Sequence, residues 1–282
     1  MTGNQLQFPV SSFQFQATST MNRHQHNDLA YYTFPALDAF PELVHGITTR
    51  HGGVSAGQYA SLNLSNGLGD DPAAVAENLS RTCAAFGLRR EHLVSPNQRH
   101  TANVRRVGAA DRGHIWPGYD TLITDEPGVP LLLRYADCTP VLIYAPAHHA
   151  LALIHSGWRG TVQGAVRVAV EALVSEYGSR PAEMIAAIGP SIGPCCYEVG
   201  EDVTTAVRSV FDRPEDLLSG RTGSRPHFDL WAANRHWLVE AGVRRIEVAE
   251  LCTACRTDEF YSHRAERGLT GHFGAVMMLT EC

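Results

Sequence analysis

Three short, strongly apolar segments follow one another in the middle of the chain: Pro130–Tyr135, Val141–Ala145 and Leu151–His155. Their brevity and turn-rich boundaries predict buried strands rather than helices. Further strands are predicted at Leu43–Arg50, Asn103–Val107, Tyr119–Thr124, Met184–Gly189, Arg245–Leu251 and Gly274–Leu279. Helices are predicted from Asp71-Pro72 to Phe86, over Thr161–Tyr177, over Gly200–Phe211 and over Asp229–Ala241. The first has Asp as a cap with Pro at its start, and the second has a helical apolar stripe stopped by Gly178. Strands and helices alternate irregularly, and many strands come in adjacent pairs. That order predicts an α+β fold, a single domain of mixed β-sheets flanked by helices, rather than a doubly wound parallel sheet.

Residues 1–27 are rich in Gln, Ser, Thr and Phe with no clear period, and are expected to form a mobile tail. Residues 28–282 are expected to be one catalytic domain. There is no internal repeat, and the polar loop Ser219–Arg225 is too short for a linker. No basic segment leads into an apolar core at the start, and no apolar run is long enough to cross a bilayer. A cytoplasmic protein with reduced thiols is expected, as a monomer or homodimer, with no membrane partner. The net charge of −6 argues against nucleic acid as a partner.

The chain contains no lysine, so every one of its 23 basic residues is arginine. Schiff-base catalysis, an internal pyridoxal aldimine and a lysine phosphate loop are thereby excluded. Anions must be held by Arg, backbone N–H groups or a metal. Fourteen histidines make metal ligation and proton transfer the chemistries to look for.

The densest cluster of such residues lies between Asn97 and Gly160. Asn97-Gln98-Arg99-His100, Ala136-Asp137-Cys138 and His155-Ser156-Gly157-Trp158-Arg159 each place a ligating side chain at a strand end. His, Cys and His form a three-donor set that zinc accepts while keeping a fourth position for water, whose pKa then falls towards ~7. The spacings are long, and a buried structural Cys and hydrogen-bonded His residues are the plainer reading of the same positions. Cys252 and Cys255 have zinc-knuckle or redox spacing but no evident second pair, so packing is expected of them. Adjacent Cys195 and Cys196 are likewise expected to pack rather than to chelate one metal.

Several strings occur in a set order: Ala136-Asp137-Cys138-x-Pro140, His155-x-Gly157-Trp158-Arg159-Gly160, Ile188-Gly189-Pro190-Ser191-Ile192, Asp229-Leu230-Trp231 and Phe260-Tyr261-Ser262-His263-Arg264. With Gly52-Gly53-Val54-Ser55 and Tyr59-Ala60-Ser61-Leu62-Asn63-Leu64, the chain from about Val44 onward resembles the YfiH or laccase-domain family, also called the polyphenol oxidase family. The resemblance implies a zinc site at His100, Cys138 and His155. It implies phosphorolysis of purine nucleosides (adenosine, inosine, guanosine, methylthioadenosine) and hydrolytic deamination of adenosine. Purine nucleosides and phosphate would then be the binding partners, with copper able to enter the same site. Arg99, Thr101 and Ser156 stand where the family usually has Val, Gly and Ala, which bears on substrate preference more than on metal binding.

For phosphate the candidates are the guanidiniums of Arg50, Arg159 and Arg264. Asn63 and Asp70 are candidates for ribose or base, although turn formation is equally ordinary for them. Asp137, beside a ligand, is a candidate to orient a site group or carry a proton. Three rival readings remain: a cysteine hydrolase or amidase with Cys138 as nucleophile, a copper-dependent polyphenol oxidase, and a cell-wall-linked editing or binding protein with a structural metal. A multicopper oxidase needs many more His ligands than this set provides, and the one His-x-His string is His24-Gln25-His26.

Overall fold

The computed structural model describes residues 21–220 and 225–280. Two sheets form its centre. The first is fully antiparallel, in the order Asn22–His26, Leu29–Thr33, Leu43–Thr48, Phe273–Leu279, Leu131–Tyr135. The second is mixed, in the order Arg245–Val248, Ile185–Ile188, Thr139–Ala145, Ala150–Ser156, Thr121–Thr124, Val104–Arg106. Its two outermost pairs are parallel and its inner pairs antiparallel.

Alternation along the strands explains why the central segments read as continuously apolar. Leu131, Leu133 and Tyr135 of the first sheet share a core with Leu142, Tyr144, Leu151 and Leu153 of the second. The intervening residues point the other way. Leu132 and Val276 pack with Cys83 and Phe86 of the helix Pro72–Phe86. Val141, Ile143, Ala152 and Ile154 pack with Val166, Val170, Leu173 and Leu238 of the helices on the far face. Each central strand therefore serves two cores, and the result is four layers: helix, sheet, sheet, helices.

Two expectations need correction. Asn22–His26 is not tail: it pairs in register with Leu29–Thr33, and His24 bonds the Thr33 hydroxyl at 2.7 Å. Residues 1–20 lie outside the described residues, as do positions 221–224 of the predicted Ser219–Arg225 loop. The single helix expected over Thr161–Tyr177 is two, Trp158–Val162 and Ala165–Tyr177. They part at Gly164, whose φ of +72° is left-handed and ends the first helix. Gly178 does stop the second as expected, in a left-handed cap. Among the described residues no helix is long and apolar enough to cross a membrane.

His45, buried on the strand Leu43–Thr48, gives the fold a pH dependence. Its Nε2 accepts the Phe34 N–H at 3.0 Å, a bond that only an unprotonated nitrogen makes. Burial pushes its pKa from 6.5 down to about 4, against the pull of Asp38. Between those values the unfolded chain takes up a proton that the folded chain refuses. Stability should therefore fall as pH falls through that window, by up to ~1.4 kcal/mol per pH unit from this group. Thermal unfolding from pH 6.5 to pH 4 should show a shallower slope in His45→Asn, whose side-chain oxygen can still accept from Phe34. Equal slopes in the two proteins would refute this assignment.

Candidate metal centre and its cavity

The chain crosses from the first sheet to the second at Ala136-Asp137-Cys138, between the strands Leu131–Tyr135 and Thr139–Ala145. This crossing places Cys138 at the junction of the two sheets. His155 lies opposite Pro140 in the next strand, in the same alternation as Leu151 and Leu153, and so points between the sheets. His100 arrives on the loop that follows the short strand Ser95–Asn97. One donor atom from each of His100, Cys138 and His155 falls within 4.8 Å of the others.

Asp120 holds this set together. It is fully buried. Its carboxylate accepts the N–H groups of Arg99, His100 and Thr101, each at 2.9 Å, and the Thr101 hydroxyl at 3.0 Å. It also accepts Nδ1–H of His155 at 2.8 Å. A carboxylate only accepts, so it fixes the His155 tautomer and leaves Nε2 free to ligate. His100 has a φ of +60° and Asp137 a φ of +82°, conformations uncommon in residues other than glycine. The bond from the His100 N–H to Asp120 secures the first of them. Asp120 appears in no sequence string singled out above. It falls inside the predicted strand Tyr119–Thr124, whereas the observed strand begins one residue later, at Thr121.

Electrostatics follow from this geometry. Burial alone would raise the Asp120 pKa, but the His155 bond and charge and the N–H donors of Thr101 and Arg99 hold it well below the usual carboxylate range. Burial also disfavours a thiolate at Cys138, yet the charge and hydrogen bonds of His155 and His100 bring the thiol down to about 6. For His155, burial pulls down while Cys138 and Asp120 raise the pKa to about 9. Without metal the pair is poised as thiolate and imidazolium.

The glycine in His155-x-Gly157 has a steric reason. A Cβ there would lie 2.7 Å from Cys138 Sγ and 3.1 Å from His100 Cδ2. Its φ of −78° suits any residue, so space between the donors is what excludes a side chain.

The donors line a cavity of about 720 Å³ together with Gln98, Arg134, Arg264 and His272. That volume lies in the range of small-molecule sites. Arg134 was missed by the sequence reading, although it is the one charged residue in the apolar run Leu131–Tyr135. Its Nε donates to the Leu64 carbonyl at 2.5 Å. Burial lowers its pKa to about 10, so it stays charged at neutral pH. Its backbone exchanges two hydrogen bonds with the Gln98 side chain, which ties the His100 loop to the first sheet. Burial, first among several causes, lowers the His272 pKa to about 4, and its buried Nδ1 has no hydrogen-bond partner among the described residues.

The other expected site residues are placed as follows. Arg264 lines the cavity, bonds the Glu198 carbonyl at 2.9 Å and stands over the Tyr197 ring. Asp137 also lines it, but both carboxylate oxygens are engaged, by the Thr253 hydroxyl and by the Arg264 N–H, each at 2.6 Å. Its position is that of an orienting group. Arg50 lies outside the lining, bound to the Thr257 carbonyl and to Glu266 and stacked on Tyr261. Arg159 is exposed over the Trp158 ring and is also outside the lining. Asn63 and Asp70 bond each other at 2.9 Å, and Asp70 also takes the Ser55 hydroxyl. These bonds anchor loops beside the first sheet. Two departures from the family pattern are absorbed locally: Thr101 adds its hydroxyl to Asp120, and Ser156 bonds Asn234 at 2.7 Å.

A two-sheet α+β scaffold that brings a His–Cys–His set to the junction of its sheets, with a carboxylate behind it, defines a metal-binding domain built around a cavity. The chain belongs to the multi-copper polyphenol oxidoreductase laccase family, which its residues 44–280 match. It is 40% identical over 249 residues to a protein from Geobacillus stearothermophilus named purine nucleoside phosphorylase YlmD, covering 84% of this chain and 90% of that one. The crystal structure of YlmD from that organism superposes with a TM-score of 0.86 at 36% identity, over 92% of this chain and 99% of its own. The hypothetical protein YfiH from Bacillus licheniformis superposes with a TM-score of 0.85 at 29% identity, over 90% of this chain and 97% of its own. The YfiH resemblance and the α+β fold read from the sequence are thus both established.

Proposed function

We propose that this chain is a zinc-dependent purine nucleoside phosphorylase that also deaminates adenosine, working in the cytoplasm. The observation that carries the reading is one cavity that joins a His–Cys–His donor set to the half-buried guanidinium of Arg134, which has no ion pair among the described residues. The name of the Geobacillus relative supports the substrate class. A thiolate with two imidazoles, one of them oriented by a carboxylate, suits zinc, and copper accepts the same donors. Bound there, zinc would supply Lewis-acid polarisation of an oxygen in the cavity.

The protein's own groups would do the rest. Arg134 and Arg264 hold phosphate, since no lysine exists to do so. In phosphorolysis a phosphate oxygen bonds to ribose C1′ as the bond from C1′ to the base nitrogen breaks, and the base takes up a proton. His272, held neutral by burial, adds an uncharged side chain to the same cavity wall. Asp137 keeps Arg264 aimed into the cavity.

Chromatography of adenosine reactions with and without phosphate tests this. Phosphate-dependent adenine and ribose 1-phosphate are expected, with inosine formed in either buffer. Arg134→Gln should raise the KM for phosphate roughly 10- to 100-fold, as loss of a hydrogen bond between charged groups does. Inosine formation should change far less. Absence of turnover of any purine nucleoside by zinc-loaded protein would refute the reading.

A further inference from the structure

The structure supplies the second cysteine pair that Cys252 and Cys255 lack in sequence. The strands Ile185–Ile188 and Arg245–Val248 are parallel neighbours, and the pairing continues past their ends as a bridge between Ser191 and Cys252. The loops that follow therefore run side by side. The Gly193–Cys196 turn, closed by N–H bonds from Cys196 and Tyr197 to the Gly193 carbonyl, brings both adjacent cysteines against the other loop. Cys195 Sγ lies 3.6 Å and Cys196 Sγ 3.3 Å from Cys255 Sγ. All four sulfurs fall within 4.8 Å of one another. Cys196 packs against the apolar core as expected, Cys195 is exposed, and the turn points both thiols at the same place.

We propose that Cys195, Cys196, Cys252 and Cys255 form a second metal site, a structural tetrathiolate zinc centre separate from the His100–Cys138–His155 set. Four sulfurs at ~2.3 Å from one zinc lie ~3.8 Å apart in a tetrahedron, close to the separations seen here. The Gly193 N–H donates to Cys252 Sγ at 3.2 Å, the kind of outer contact that steadies a metal-bound thiolate. The Arg256 N–H closes the Cys252–Cys255 turn on the Cys252 carbonyl at 3.0 Å. On binding, each S–H bond gives way to an S–Zn bond and its proton leaves to solvent. No electron is transferred.

The placement gives the centre a task. Thr253, between two ligands, holds Asp137, and the Glu198 carbonyl beyond Cys196 holds Arg264. Zinc here would fix the cavity wall that carries Tyr197 and Arg264. The proposal is independent of the substrate reading, since it shares no ligand with the first site.

Full-length protein purified without chelator, with reductant, should contain two zinc ions per chain by elemental analysis. Cys138→Ala/His155→Ala should retain one, as should Cys252→Ser/Cys255→Ser. Cobalt loaded into Cys138→Ala/His155→Ala should show the intense sulfur-to-metal charge-transfer bands of a four-thiolate site. A test without variants is alkylation of the wild type followed by mass spectrometry, where all four cysteines should be protected until a chelator is added. The proposal is overturned if those thiols alkylate freely in zinc-replete protein. It is equally overturned if the purified chain carries a disulfide among them.

Discussion

If the cavity holds zinc as proposed, replacing Cys138 with Ala should lower its affinity there at least ~100-fold and nucleoside turnover by roughly 10³-fold or more. The thiolate is the one anionic donor of its set, and it is the charge that His155 and His100 draw down against burial. Alanine removes the charge and leaves two neutral imidazoles, of which only His155 keeps an orienting partner, in Asp120. Cys138→Ser should behave nearly as badly, since an alcohol at neutral pH is a poor replacement for a thiolate. The measurement is metal content at this site beside product formation from adenosine. A nucleophilic-cysteine enzyme gives a different pattern: Cys138→Ala would lose turnover while its zinc content stayed equal to that of the wild type. That outcome would refute the metal-ligand role, whatever became of the activity.

The parts of this molecule that were legible in its sequence are those whose cause is local. The strands Leu131–Tyr135, Thr139–Ala145 and Ala150–Ser156 read as such because every residue in them except the half-buried Arg134 is buried on one face or the other. Asp71 and Gly178 mark helix ends because caps act on the nearest turn. The donors His100, Cys138 and His155 stood out through ordered strings, whereas their spacing alone fitted structural roles equally well. Groups whose meaning is made by distant chain were not legible. Asp120 draws its donors from the His100 loop and from the strand Ala150–Ser156. Cys195 and Cys196 meet Cys255 only because two strands far apart in sequence pair in parallel. Partners of Arg50, Asn63 and Asp70 were equally hidden: these residues have the chemistry of ligand-binding groups, and folding gives them hydrogen-bond partners within the chain. Arg134 was the legible residue that went unread, a charge inside a buried strand that asks for a reason.

Asp120→Asn should be the most damaging single change outside the proposed metal ligands. The carboxylate accepts five hydrogen bonds, three of them from consecutive backbone N–H groups. Asparagine keeps the shape, but one acceptor becomes an NH₂ group facing N–H donors, and the charge opposite His155 disappears. Breaking a buried charged pair on one side costs about 3–5 kcal/mol. Loss of a carboxylate behind a ligating His weakens metal binding by roughly 10- to 100-fold. The two effects share an origin, because the same side chain clamps the left-handed backbone of His100 and orients the ring of His155. Zinc-free wild type is therefore the right reference for stability. Relative to it, Asp120→Asn should still unfold earlier in denaturant, showing that the network holds the His100 loop without help from metal. If the stability loss vanished in metal-free protein, Asp120 would act only through the metal, and the loop would owe its conformation to coordination instead.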